Sequence, residues 1–238
     1  MKAMIFAAGR GNRMRPLTDT CPKPLLKVRG RPLIVWHIVN LVRAGITEIV
    51  INHAHLGEQI EEMLGDGSRY GAAISYSHEE SALETAGGIA KARHLLGEDP
   101  FVTIAADVYC PYFDFEEVKT VLQDNDVWGK PYDLASRDVA WLYLVPNPPF
   151  HPHGDFALNS FTVKNEGEPK WTYSGIGVFR MSMFDSVQAG EKMQLGTLLR
   201  EYISRGLVGG EIYRGEWKNV NTIEELDRLN AIANKKPD

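Results

Sequence analysis

The chain has 238 residues, 44% apolar, 10% aromatic and 24% charged, enough for one large core and inconsistent with intrinsic disorder or a fibrous repeat. Basic residues number 26 against 31 acidic ones, a formal net charge of −5, which argues against general nucleic-acid binding because that needs a basic surface. The two cysteines, Cys21 and Cys110, have no paired spacing; this excludes a disulfide scaffold or a CxxC zinc site and makes reduced thiols in a cytoplasm the expectation.

Lys2–Ala8 reads as a buried strand running into a glycine-rich turn. Its apolar run is too short for a signal peptide, and no segment reaches membrane-spanning length, so no membrane partner is expected. Residues 7–31 then gather seven Arg and Lys against the single Asp19. Such a stretch can hold a small polyanion locally or simply be a solvated loop. Leu33–Ala44 puts Ile34, Ile38, Leu41 and Val42 on one helical face and ends at Gly45. Thr47–Asn52 (TEIVIN) is the next buried strand, Leu56–Leu64 a helix, Ile74–Ser77 a short strand and Thr85–Leu96 a helix. Phe101–Asp107 (FVTIAAD) follows as a strand that ends in a carboxylate. Strands alternating with helices imply right-handed crossovers and a parallel sheet.

The second half changes character. Val139–Val145, Phe156–Val163 and Tyr173–Arg180 are longer strand-like runs, the first two separated by the turn Pro146–Gly154. An amphipathic helix near Leu195–Arg205 and a strand near Glu211–Tyr213 come next. A last helix runs from Thr222 to about Ala233, started by a Thr222/Glu225 capping-box pattern with Ile223, Leu226 and Leu229 inside. The expected fold is α/β: a Rossmann-like open mixed sheet, mostly parallel and flanked by helices, with a smaller antiparallel extension packed beside it. It spans 1–238 as a single domain, with halves 1–110 and 111–238.

The loop after the first strand, Ala7–Thr18, carries Gly9 and Gly11, which let the main chain approach a ligand and aim N–H groups at anionic oxygens. A dinucleotide fingerprint needs a third glycine where Met14 stands, which opposes a nicotinamide dehydrogenase, and no Walker A pattern occurs. What remains is a phosphate cradle with its own guanidinium, Arg13, or a tight turn whose glycines only shape the backbone. In Pro22-Lys23-Pro24-Leu25-Leu26 the flanking prolines stiffen the segment that presents the Lys23 ammonium. GxGxRxxPLT at 9–18 followed by PKPLL at 22–26 resembles the signature of the sugar-1-phosphate nucleotidyltransferases. The resemblance implies that Ala8, Gly9, Gly11 and Arg13 wrap a nucleotide triphosphate and that Lys23 reaches its α-phosphate.

Leu83–Gly88 (LETAGG) is similar to that family's LGTAG base-and-ribose segment, with Glu84 in place of the first glycine. Ala82 and Gly87 would lie along the nucleotide; without the flanking motifs the segment is equally a capped, closely packed helix start. The resemblance makes Asp107 a metal ligand for Mg²⁺ and points to a second one in Trp217–Thr222, a WxDVGT-like segment where Asn219 replaces the aspartate. An amide oxygen binds Mg²⁺ without adding negative charge. The stretches Asn147–Phe156 and Tyr173–Phe179 resemble those of a uridylyltransferase branch of the family whose sugar is N-acetylmuramate 1-phosphate. Asp155, Asn159, Ser174 and Gly175 would then form the sugar-binding extension, although each singly is a common turn or cap residue. His151 and His153 are expected to be solvated, for want of a carboxylate ligand set.

The resemblance as a whole implies an enzyme with UTP and a sugar 1-phosphate as substrates, Mg²⁺ as cofactor, and Arg13, Lys23 and Asp107 as catalytic residues. The departures at Ala106 and Asn219 keep a second reading open, a non-catalytic nucleotide or sugar-nucleotide sensor on the same fold, and a third is the same reaction with another hexose 1-phosphate or NTP. Oligomeric state has no signal in the sequence.

Overall fold

The structure, a computed structural model, describes residues 1–121 and 138–233, so part of the second half read from the sequence lies outside the described residues. In chain order the elements are β1 (Ala3–Ala7), α1 (Leu17–Thr20), β2 (Lys27–Val28), β3 (Arg31–Pro32), α2 (Leu33–Arg43), β4 (Glu48–His53), α3 (Gly57–Leu64), β5 (Ala73–His78), α4 (Glu84–Lys91) and α5 (Arg93–Leu96). They continue with β6 (Phe101–Ala105), β7 (Val108–Tyr109), β8 (Ala140–Val145), β9 (Phe156–Asn159), β10 (Thr162–Lys164), β11 (Lys170–Phe179), α6 (Leu195–Ser204), β12 (Val208–Ile212), β13 (Lys218–Asn219) and α7 (Ile223–Ala233).

Nine strands form one sheet in the order β5-β4-β1-β6-β11-β8-β12-β10-β9. The first four pair in parallel, as the alternation of apolar runs and helices predicts. β11 then enters antiparallel between β6 and β8, β12 lies parallel to β8, and β10 and β9 close the far edge antiparallel. This corrects the expected arrangement: four neighbouring pairs are parallel and four antiparallel, and the extension continues the sheet instead of packing beside it. The ten-residue β11 covers the hydrogen-bonding edge that β6 would otherwise leave bare.

Alternate residues of the strands point to opposite faces, and each face has its own helices. Ile5, Ile51, Ile104, Tyr143 and Val178 pack under α2 and α3. Met4, Val50, Phe101, Leu142 and Phe179 pack under α4 and α6. A third, smaller cluster joins Met14 and Leu33 to Leu226 and Leu229 of α7, whose Thr222 Oγ1 accepts a hydrogen bond from Glu225 N at 3.2 Å.

Several element boundaries differ from the sequence reading: the strand read as Phe101–Asp107 stops at Ala105, leaving Asp107 just beyond it, and β11 starts three residues before Tyr173. Phe156–Val163 is two strands, because Ser160 takes a left-handed φ of 55° and turns the chain so that Asn159 faces Thr162. The Thr85–Leu96 helix breaks at Ala92. β12 starts at Val208, hidden in the sequence by Gly209 and Gly210, which lie against Trp141 and Leu142 where a Cβ has no room.

Candidate active site

The carboxyl ends of the parallel strands meet at one crevice, the usual ligand position of an open α/β sheet. The loop after β1 lines it with Gly9, Arg10, Gly11 and Arg13, and Asp107 closes it from the end of β6. Gly11 has φ 70°, and a Cβ there would come within 3.0 Å of Thr18 Cγ2 and 3.3 Å of Lys23 Cβ, so the loop can fold against α1 only with glycine. Thr18 Oγ1 donates to Gly11 O at 2.9 Å and stabilises that contact. A Cβ on Gly9 would meet only open space in the crevice, so neighbouring protein atoms do not account for that glycine. Met14, the residue that breaks the dinucleotide fingerprint, is fully buried and anchors the loop in the α7 cluster.

Arg13 is exposed and faces the same cavity as Lys23 and Asp107. Arg10 bonds Thr18 O at 3.1 Å and also contacts His55, which fastens the loop to the segment after β4. Burial, with the neighbouring Arg10 guanidinium, holds the His55 imidazole below its usual pKa.

Lys23, 8% exposed, donates from Nζ to Asp107 Oδ2 at 2.7 Å and to Asn221 Oδ1. Burial lowers the ammonium pKa, with Asp107 opposing and Arg13 adding to the shift. The sequence reading missed Asn221, which sits where the WxDVGT pattern has its glycine and so offered no motif to match. Asn219 is in β13, paired opposite Val108 of β7, and Val220 N donates to Asp107 O at 2.8 Å. The Asn219 Oδ1 is buried without a hydrogen-bond partner, an acceptor left over beside the strand that carries Asp107. Among the described residues no group of three or more His, Cys, Asp or Glu is placed to hold a metal. Asp107 lines the crevice whereas Asn219 lines none of its cavities, so the protein offers one carboxylate there, and an Mg²⁺ at that carboxylate would take most of its ligands from water and substrate phosphates.

At the other end of this cavity of about 410 Å³, Asn52 and Glu79 form a buried network. Asn52 Oδ1 accepts from Ala7 N at 3.1 Å, its Nδ2 donates to Glu79 Oε1 at 2.7 Å, and Glu79 Oε2 accepts from Leu83 N at 2.8 Å. Ala82, Glu84 and Thr85 line the cavity, whereas Gly87 does not: a Cβ there would strike Glu191 O at 2.1 Å, so that glycine serves helix packing. Asn52 and Glu79 carry no motif of their own and come together only because β4 and β5 end side by side.

A second cavity of about 370 Å³ adjoins the first, sharing Phe6, Glu84, Thr85 and Ala105 as walls. Asp155, Tyr173, Gly175 and Arg200 line its far side. Asp155 Oδ2 accepts from Tyr173 N at 2.8 Å and its Oδ1 pairs with His151 Nε2 at 3.1 Å, so His151 is engaged and only His153 is left exposed. Ser174 is buried inside a bulge of β11, where its Oγ accepts from Ile176 N and its carbonyl from Trp217 Nε1; it lines neither cavity. Asn159 is exposed at the β9–β10 turn and also lies outside both. Of the four sugar-side candidates the fold thus brings Asp155 and Gly175 to the cavity, and it adds Arg200, whose place on α6 no local pattern singles out.

Residues 2–128 match the nucleotidyl transferase family model. The chain belongs to that family and is a sugar-1-phosphate nucleotidyltransferase. It is 47% identical over 237 residues to the N-acetylmuramate alpha-1-phosphate uridylyltransferase of Neisseria meningitidis serogroup B, with 98% of each chain covered. It is 41% identical over 121 residues to the mannose-1-phosphate guanylyltransferase catalytic subunit beta of Xenopus tropicalis, an alignment spanning half of this chain and 33% of that one. In three dimensions it superposes on a Bacillus anthracis protein assigned as a glucose-1-phosphate thymidylyltransferase and solved with sucrose, at a TM-score of 0.80 and 22% identity over 100% of this chain and 97% of that one; this likeness concerns the fold. No helix among the described residues is long and apolar enough to cross a membrane.

Proposed function

We propose that the chain joins UTP to a sugar 1-phosphate, with N-acetylmuramate 1-phosphate as the favoured sugar, and releases pyrophosphate. The observation that carries this reading is the unbroken crevice: a basic glycine loop at one end, the Lys23–Asp107 pair in the middle, and a cavity holding Arg200 at the other. The relative from Neisseria meningitidis carries this sugar and nucleotide in its name, which supports the choice of both. A sugar bearing a carboxylate needs a cation on its own side of the crevice, and Arg200 is one.

A phosphate monoester is already an anionic nucleophile, so the protein need supply only alignment and charge cancellation. One oxygen of the sugar phosphate attacks the α-phosphorus in line, a new P–O bond forms, and the bond to the β-phosphate breaks as pyrophosphate carries away its electron pair. Lys23 faces the α-phosphoryl charge, and Arg13 with the Gly9–Gly11 main chain faces the leaving pyrophosphate. Asp107 would hold Mg²⁺, which when bound supplies Lewis-acid charge neutralisation at the phosphates. Asp155 orients the sugar through lone pairs that its two internal partners leave free.

The test is pyrophosphate release with each common NTP crossed with N-acetylmuramate, N-acetylglucosamine, glucose and mannose 1-phosphates, with Mg²⁺ or EDTA. UTP with N-acetylmuramate 1-phosphate is expected to turn over fastest, and only with the metal. Faster turnover with a neutral sugar would reassign the substrate, and no turnover with any pair would end the enzymatic reading.

A further inference from the structure

Glu84 has three properties that a solvent-facing helix residue does not combine. It stands where the family's LGTAG pattern has glycine, and it holds a left-handed φ of 61°. A side chain in that conformation is strained and persists where something compensates for it. Its side chain is 40% exposed and lines both the nucleotide-side and the sugar-side cavity, one of four residues the two walls share. The nearest cation, Lys192 Nζ, is 3.9 Å away and 69% exposed, too loose a contact to explain the strain.

Both substrates of the proposed reaction are polyanions, so a carboxylate in their crevice repels their phosphates and favours their neutral hydrogen-bond donors, the ring hydroxyls among them. The cations suited to phosphates, Arg10, Arg13 and Lys23, lie on the glycine loop and the Lys23 segment, and none of them lines the sugar-side cavity. The junction between the cavities is therefore the place where a sugar ring, and not a phosphate, faces Glu84. We propose that Glu84 determines specificity: its carboxylate accepts a hydrogen bond from a ring hydroxyl of a bound substrate, of the nucleotide's ribose or of the sugar phosphate. A hydrogen bond to an ionised acceptor is stronger than one between neutral groups, so an analogue lacking that hydroxyl is discriminated against even at a partly exposed carboxylate.

This rests on the reading of the crevice as a sugar-nucleotide site, and the test separates the two. Glu84→Gly removes both the carboxylate and the strain, so it should fold with an unchanged or higher Tm, which guards against a misfolding artefact. Wild type, Glu84→Gly and Glu84→Gln are compared with UTP, 2′-deoxy-UTP and 3′-deoxy-UTP, and with N-acetylmuramate 1-phosphate and its 4-deoxy and 6-deoxy forms. In wild type, removal of one particular hydroxyl should lower kcat/KM about 10- to 100-fold. In Glu84→Gly that penalty should shrink to near unity, and Glu84→Gln, which keeps an acceptor oxygen, should fall between. A penalty that vanishes on a deoxyribose places the partner on the nucleotide; one that vanishes on a deoxy sugar places it on the second substrate. If wild type turns over and Glu84→Gly discriminates against every deoxy analogue as wild type does, the inference falls while the enzymatic reading stands. If wild type releases no pyrophosphate, with all three proteins folded, both fall.

Discussion

At the scale of single residues, the Lys23 ammonium and the Asp107 carboxylate are bonded to each other at 2.7 Å in the crevice, so each holds the other in place until a substrate competes for them. Lys23→Ala removes the buried cation nearest the reacting phosphate and should lower kcat about 10²- to 10³-fold, read as pyrophosphate release. Near wild-type turnover would take Lys23 out of the mechanism. Arg200→Ala should raise KM for N-acetylmuramate 1-phosphate about tenfold or more and leave KM for N-acetylglucosamine 1-phosphate unchanged, because only the first carries a carboxylate. Equal effects on both would show that Arg200 shapes the cavity without reading charge. His37 lies fully buried in α2, where burial outweighs the attraction of Asp107 and pushes its pKa down to about 4. The unfolded imidazole takes up its proton near pH 6.5 and the folded one does not, so stability is lost as pH falls from there toward 4. Between pH 7.5 and 5 wild type should lose about 2 kcal/mol of stability relative to His37→Leu, read as the change in the difference between their urea unfolding free energies. The comparison with the variant is needed because the buried Asp138 carboxyl, pushed up to about 7, gains stability over the same acidification. An equal pH dependence in both proteins would contradict the assignment.

At the scale of elements, the Asn52–Glu79 network ties the end of β1, the end of β4 and the entry to α4 into one rigid rim of the crevice. Asn52→Ala leaves Ala7 N and the Oε1 of the buried Glu79 carboxylate without a partner, while Glu79 Oε2 keeps Leu83 N. It should cost about 2–4 kcal/mol in urea unfolding and weaken nucleotide binding measured by calorimetry. A cost below ~1 kcal/mol would mean that the rim relaxes around the gap. The regular elements of the first half were legible in the sequence because β1, β4 and β6 are buried on both faces and so read as continuous apolar runs. The boundaries that were not legible lie where a two-residue turn sits inside a strand-like run, as at Ser160 and Phe161, or where glycines conceal a strand, as in β12. Among the site segments, the loop from Gly9 to Arg13 and the Lys23 segment stand out in the sequence because closely spaced glycines, arginines and prolines form a local pattern, and the fold brings both to the crevice. Ser174 and Gly87 were misleading for the opposite reason: a bulge and a close helix contact select the same small residues that a ligand would.

At the scale of the whole molecule, β11 sits between β6 and β8, so the two halves share one sheet and each lacks an edge without the other. Residues 1–110 expressed alone would expose β6 with Phe101, Val102 and Ile104, and should aggregate or unfold without a cooperative transition, while the full chain melts in one step. A soluble, cooperatively folding 1–110 fragment would divide the chain into two independent units. The sequence by itself determined the α/β class, the parallel pairing of the first strands, the basic glycine loop and the carboxylate that follows β6, because periodicity and short motifs are local and survive in one dimension. Only the tertiary structure decided that the second half extends the same sheet, that Asn221 meets Lys23 across 198 positions, and that Arg200 and Glu84 face one pair of adjoining cavities. Those contacts depend on which strands become neighbours, and hydrogen-bonding edges and buried faces settle that choice for the whole chain at once.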